Sequence, residues 1–126
     1  MITLLSPAKS LDYESPCLTE RSTQIRLKSD TAVLIDQLKK LSPEEVGSLM
    51  NVSDKLAVLN HERFQKFAAS FNKKNSRQAI LAFTGDVYQG MNLSEWSAGD
   101  FATAQENVRI LSGLYGVLRP LDLMQP

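Results

Sequence analysis

The chain opens on a short apolar run, Met1 to Leu5, stopped by Ser6-Pro7. Such a run, ended by a proline, predicts a buried strand that leaves its sheet at the C-terminal end. Residues 9–28 are polar, with Pro16 and mixed charges, and predict a surface excursion with a short extended piece at Gln24–Leu27. Helical spacing then takes over. Leu34, Ile35, Leu38 and Leu41 share one face and predict a helix from about Ser29 to Lys40, with Lys39 and Lys40 at the negative end of its dipole. Ser42-Pro43-Glu44-Glu45 is a helix start: Ser42 caps, Pro43 takes the first helical position and Glu45 closes a capping box. That helix is short and ends near Leu49-Met50. Ser53 caps a third helix, predicted through about Phe71, with Phe64, Phe67 and Phe71 as buried anchors. Gln78 to Phe83 is a second apolar run, predicted as a strand and stopped by Thr84-Gly85-Asp86. A turn-rich stretch follows from Tyr88 to Gly99. Asp100 then caps a fourth helix, predicted through about Leu111, with Phe101, Ala104, Val108 and Leu111 on its apolar face.

Two strands make a poor sheet, because about three are needed for independent stability. The chain also finishes on the apolar run Leu123-Met124-Gln125-Pro126. Both features predict a fold that continues past Pro126. The expectation is an α/β protein, α+β-like, helix-rich and with few strands. Residues 1–126 would then form a single partial domain, the N-terminal half of a longer protein.

Composition narrows the function classes. Hydrophobic residues are 43% of the 126 and charged residues 22%, which supports a packed core and argues against wholesale disorder. Fourteen basic residues balance fourteen acidic ones, which argues against a histone-like basic protein while leaving room for a local basic face. Cys17 is the single cysteine, which forbids an intrachain disulfide and a thiolate zinc site. No apolar run approaches the ~20 residues of a membrane span, and no signal-peptide pattern opens the chain. These features together point to a cytosolic protein.

Most chemical motifs are incomplete. Ser6-Pro7-Ala8-Lys9 has the S-x-x-K spacing of serine acyl-enzymes, but S-D-N and K-T-G partners are missing, and a strand-to-loop turn accounts for it. His61-Glu62 begins like H-E-x-x-H, but Gln65 stands where the second ligand belongs, and His61 is the only histidine. No metal site and no cofactor are expected. Cys17, flanked by Pro16 and Leu18 with Glu14 and Glu20 near, reads as an inert loop thiol. The glycine- and tyrosine-bearing blocks at 85–90 and 111–122 are neither G-x-G-x-x-G nor a P-loop, and read as turns.

Leu49 to Ala57 is the most informative stretch. A short capped helix precedes it and a longer one follows, in the order of a helix-hairpin-helix element spanning about 42–71. Leu49 and Val52 would be the apolar pegs, Ala57 the small residue where the helices touch, and Lys55 a phosphate-contacting lysine. Met50, Asn51 and Ser53 replace the usual proline and glycines, although Asn51 can adopt the left-handed conformation. The competing reading is a plain αα-hairpin with a serine cap. Charge favours the first: from Lys55 to Arg77, six basic residues (Lys55, Arg63, Lys66, Lys73, Lys74, Arg77) face one acid, Glu62.

Four blocks resemble the YaaA peroxide-stress-response family of bacteria: Ser6-Pro7-Ala8-Lys9 after a strand, Ser53 to Ala57, Gln78 to Phe83 with Gly85-Asp86-Val87-Tyr88, and Leu111 to Pro126. The resemblance covers essentially the whole chain. It implies an unusual α/β fold with a helix-hairpin-helix element and a positively charged cleft. It further implies a cytosolic protein, induced by hydrogen peroxide, that binds duplex DNA and limits unincorporated iron. The leading expectation is therefore a non-enzymatic DNA-binding protein that holds phosphates through Asn51, Ser53, Lys55, Arg63, Lys66, Lys73, Lys74 and Lys9. The alternative is an enzyme acting on a phosphorylated or nucleotide-like small molecule through Lys9, Tyr88 and Arg119. Iron sequestration by carboxylates is a third reading, with only Glu44-Glu45 adjacent.

Overall fold

A computed structural model describes residues 1–126, and the chain divides into two compact units, Lys28–Ala69 and Met1–Leu27 with Ser70–Pro126. Helices and strands are mixed, so the fold is α/β with six helices and five short strands.

The Lys28–Ala69 unit is helical: α1 (Lys28–Leu38), α2 (Pro43–Met50) and α3 (Asp54–Lys66). The capping box is formed, with the Ser42 hydroxyl accepting from Glu45 N–H at 3.2 Å and the Glu45 carboxylate accepting from Ser42 N–H. Asn51 ends α2 at φ 52°, ψ 55°, the left-handed position that terminates a helix. Ser53 starts α3, its hydroxyl accepting from Leu56 N–H at 3.4 Å. Between the two helices, a Cβ placed on Gly47 would lie 3.1 Å from the Ala57 methyl. This close approach is why both positions carry small residues. His61 reaches the Leu41 carbonyl through Nδ1 at 3.1 Å, and Gln65 donates to Lys39 O at 2.8 Å, so α3 is tied to the segment following α1.

Helix α3 stops at Lys66, short of the Phe71 expected from periodicity. Phe67 is extended at ψ 122° and its carbonyl accepts from Lys39 Nζ at 3.1 Å. Phe71 belongs to the other unit, where its ring meets Tyr115 edge-on at 6.1 Å. A stripe of phenylalanines at helical spacing had continued across a helix end.

The second unit holds β1 (Thr3–Leu5), β2 (Arg77–Gln78), α4 (Ala79–Ala82), α5 (Asp86–Gly90), α6 (Ala98–Asn107), β3 (Val108–Ser112), β4 (Gly116–Leu118) and β5 (Leu123–Met124). Its main sheet has the order β1-β3-β4, with β1 parallel to β3 (Leu4 opposite Arg109) and β4 antiparallel to β3 (Leu111 opposite Val117). Strands β2 and β5 form a separate antiparallel pair.

Three expectations are corrected here. Strand β1 exists but is not buried: it lies at an edge of the sheet, and Leu4 is 61% exposed on the same sheet face as the exposed Leu111 and Val117. Residues 78–83 are not a strand; β2 supplies only Arg77–Gln78, and Ala79–Ala82 form one helical turn. Its N–H groups bond outward, Ala79 to Asp122 O and Ile80 to Pro120 O. An apolar run buried on all sides carries no periodicity to separate strand from helix. The fourth helix ends at Asn107, and Val108–Ser112 is β3. Its cap is Ser97, with Asp100 closing the box from the third position. The core of this unit is Ile80, Leu81, Phe101 and Leu121, with Met91, Leu93 and Trp96 packed on it. The Trp96 ring meets Phe101 at 5.3 Å, and each large buried side chain contributes about 1.5–3 kcal/mol.

Candidate nucleic-acid interface

The proposed contact residues fall on both units. Asn51, Ser53, Lys55, Arg63 and Lys66 belong to the helical unit; Lys9, Lys73 and Lys74 belong to the mixed one. In the helical unit, Ser53 caps α3, so Lys55 occupies its second position and is exposed. The serine hydroxyl serves Leu56 N–H and the serine carbonyl serves Ala57 N–H, leaving the first two N–H groups of the helix facing outward. At about 100° per residue, Lys66 lies within about 20° of Lys55 around the helix and Arg63 about 80° from it. Ala57, the buried contact to α2, lies on the opposite side. The helix therefore presents its cations on one side, with Lys55 and Lys66 separated by about 16 Å along the axis. Two acids interrupt the pattern. Asp54 stands at the first position of α3, nearer the helix N-terminus than Lys55, and Glu62 lies between Lys55 and Lys66.

The mixed unit treats its cations differently. Lys73 Nζ is 2.7 Å from the Glu20 carboxylate and also donates to Glu20 O, which holds the exposed Glu20 carboxyl below its ordinary range. Lys74 sits on a hydrogen-bonded turn. Asn72 Oδ1 accepts from Lys74 and Asn75 N–H, and Asn75 Oδ1 accepts from Asn72 N–H at 3.0 Å. Arg77 donates to Ser15 O at 2.6 Å and Pro16 O at 3.4 Å. Lys9 is exposed.

Two residues of the small-molecule alternative are engaged in the fold. Tyr88 donates its hydroxyl to Ser6 O at 2.6 Å, and burial pushes its pKa up to about 12. Arg119 pairs with the fully buried Asp122 at 2.8 Å and donates to Gln24 O. Asp122 also accepts from Thr23 at 2.6 Å, and Gln105 joins Thr23 to Leu121 N–H. This is a structural network with every oxygen occupied. No group of three His, Cys, Asp or Glu side chains is close enough to hold a metal ion.

One feature was not legible in the sequence. A cleft of about 430 Å³ in the mixed unit is lined by Tyr13, Cys17, Lys73, Lys74, Arg77 and Gln78, among others. Its walls come from segments some 60 residues apart, so spacing gave no signal. Cys17 is exposed there and its Sγ donates to Thr19 O at 2.8 Å.

Comparison with known proteins adds the family. Over all 126 residues the chain is 57% identical to a UPF0246 protein of Cupriavidus pinatubonensis and covers 48% of that protein. It is 54% identical to one of Teredinibacter turnerae and 52% to one of Saccharophagus degradans, covering 49% of each. The chain thus spans about half the length of the curated relatives it matches. The family model described as peroxide stress protein YaaA matches residues 1–126, and the chain belongs to that family.

Proposed function

We propose that this chain is the N-terminal part of a bacterial peroxide-stress protein that binds duplex DNA through phosphates, without catalysis, and limits unincorporated iron and oxidative DNA damage. The observation that supports DNA contact most directly is the exposed start of α3. Its first N–H groups face outward beside Lys55, and Lys66 and Arg63 follow on the same side of the helix. A spacing of about 16 Å would let Lys55 and Lys66 meet different phosphates along a duplex. The peroxide-stress part of the reading is supported by the family description.

Duplex titration at graded salt tests it in the full-length protein. Three phosphate contacts from this helix would give a log–log salt slope of about −2.7. Absence of binding, or binding indifferent to salt, would overturn the reading.

A further inference from the structure

The main sheet has two unlike faces. Ile110 and Leu118 are opposite one another and fully buried. Alternation along the strands puts the next positions on the other face. There Leu111 and Val117, also opposite one another, are each 43% exposed. Leu4, opposite Arg109 two residues before Leu111, is 61% exposed, and Ile2 precedes it at 52%. Arg109 stands on this face as well, its guanidinium held against the chain by donating to Gln105 O and Val108 O while keeping its charge. Four aliphatic side chains thus form an uncovered sheet face. Strand β1 pairs only with β3, so its outer edge is also unpaired.

An exposed aliphatic patch marks a surface that a partner covers, and a bare apolar edge strand invites pairing. We propose that the half of the relatives' length lying outside residues 1–126 packs on the face formed by Ile2, Leu4, Leu111 and Val117, and adds a strand to the free edge of β1. Its amount supports this: the relatives carry about as many residues again as this chain, since it covers 48% of the Cupriavidus protein. In that arrangement β1 becomes an interior strand.

Hydrogen exchange on the unmodified full-length protein tests the edge. Amides of Thr3–Leu5 that do not donate to β3 should exchange at least about tenfold more slowly than unpaired surface amides. Alkylation tests the face. In a Cys17→Ser background, Leu4→Cys and Val117→Cys should react at least about tenfold more slowly than Val33→Cys, on the 62% exposed Val33 position of α1. Fast exchange at alternate β1 amides in the unmodified protein would overturn the strand addition, whatever the variants do. Labelling as fast as Val33→Cys, in variants with an unchanged unfolding midpoint, would overturn the covered face. Protection that disappears on dilution, together with a mass halving in solution, would assign the face to a second copy instead.

Discussion

Asn51 illustrates how single residues set this fold. Its left-handed backbone, φ 52°, ends α2 and lets both Asn51 and Val52 donate to Gly47 O. A β-branched residue tolerates that conformation poorly. Asn51→Val should cost about 1–2 kcal/mol in chemical denaturation, while Asn51→Gly should stay within about 0.5 kcal/mol of the parent. Asp12 supplies a pH signature. Its carboxylate accepts from Ser15 and from the N–H groups of Glu14 and Ser15, which lowers its pKa from 3.8 to about 2. A depressed carboxylate stabilises the fold above its unfolded pKa, and that contribution is lost as pH falls from 3.8 toward 2. Asp12→Asn should flatten the stability profile in that window, read by thermal melts at stepped pH. Asp122 carries more weight, being fully buried between Arg119 and Thr23. Asp122→Ala would leave a largely buried guanidinium unpaired and should destabilise by about 3–5 kcal/mol.

Among the elements, the α2–α3 pair depends on closeness. Gly47 and Ala57 leave no room for a larger side chain, given the 3.1 Å between a Gly47 Cβ and the Ala57 methyl. Gly47→Leu should separate the helices and cost about 1–3 kcal/mol, and adding Ala57→Gly should recover part of that loss. Both helix starts were readable because capping is local: Ser42 with Glu45 three residues on, and the Ser53 hydroxyl on Leu56 N–H, satisfy N–H groups without help from elsewhere. The ends were less readable. Phe64, Phe67 and Phe71 keep a helical spacing, yet the chain turns extended at Phe67, with the Phe67 carbonyl taken by Lys39. Val108 to Leu111 likewise continues the apolar face of α6, but pairing with β1 and β4 claims those backbone groups for a sheet. Local periodicity cannot report a partner 100 residues away.

At the scale of the whole molecule, the DNA reading makes a ranked prediction. Lys55 stands beside outward N–H groups at a fixed helix start, whereas Lys74 stands on a turn without such donors. Lys55→Glu in the full-length protein should therefore weaken duplex binding more than Lys74→Glu, each lowering the salt slope by about one phosphate or less. Asp54→Asn should strengthen binding, because its carboxylate now occupies the positive end of α3. Equal losses at Lys55 and Lys74, with no gain at Asp54, would indicate a diffuse basic surface. Lys73→Ala should change affinity least, since its ammonium already serves Glu20.

The residues alone determined the capped starts of α2 and α3, a strand ending at Leu5, Ala57 as the small residue where the two helices touch, and the family. All of these are signalled by residues within about a dozen positions of one another or by ordered motif blocks. Tertiary structure alone decided that Gln78–Phe83 is mostly a buried helical turn, that β1 lies at an edge, and that the basic run from Lys55 to Arg77 is divided between two units. It also decided that Arg119 and Tyr88 are occupied by Asp122 and Ser6, partners of which one is 82 residues distant. Backbone groups and charges are satisfied by whatever the fold brings near them, and sequence separation does not record that distance.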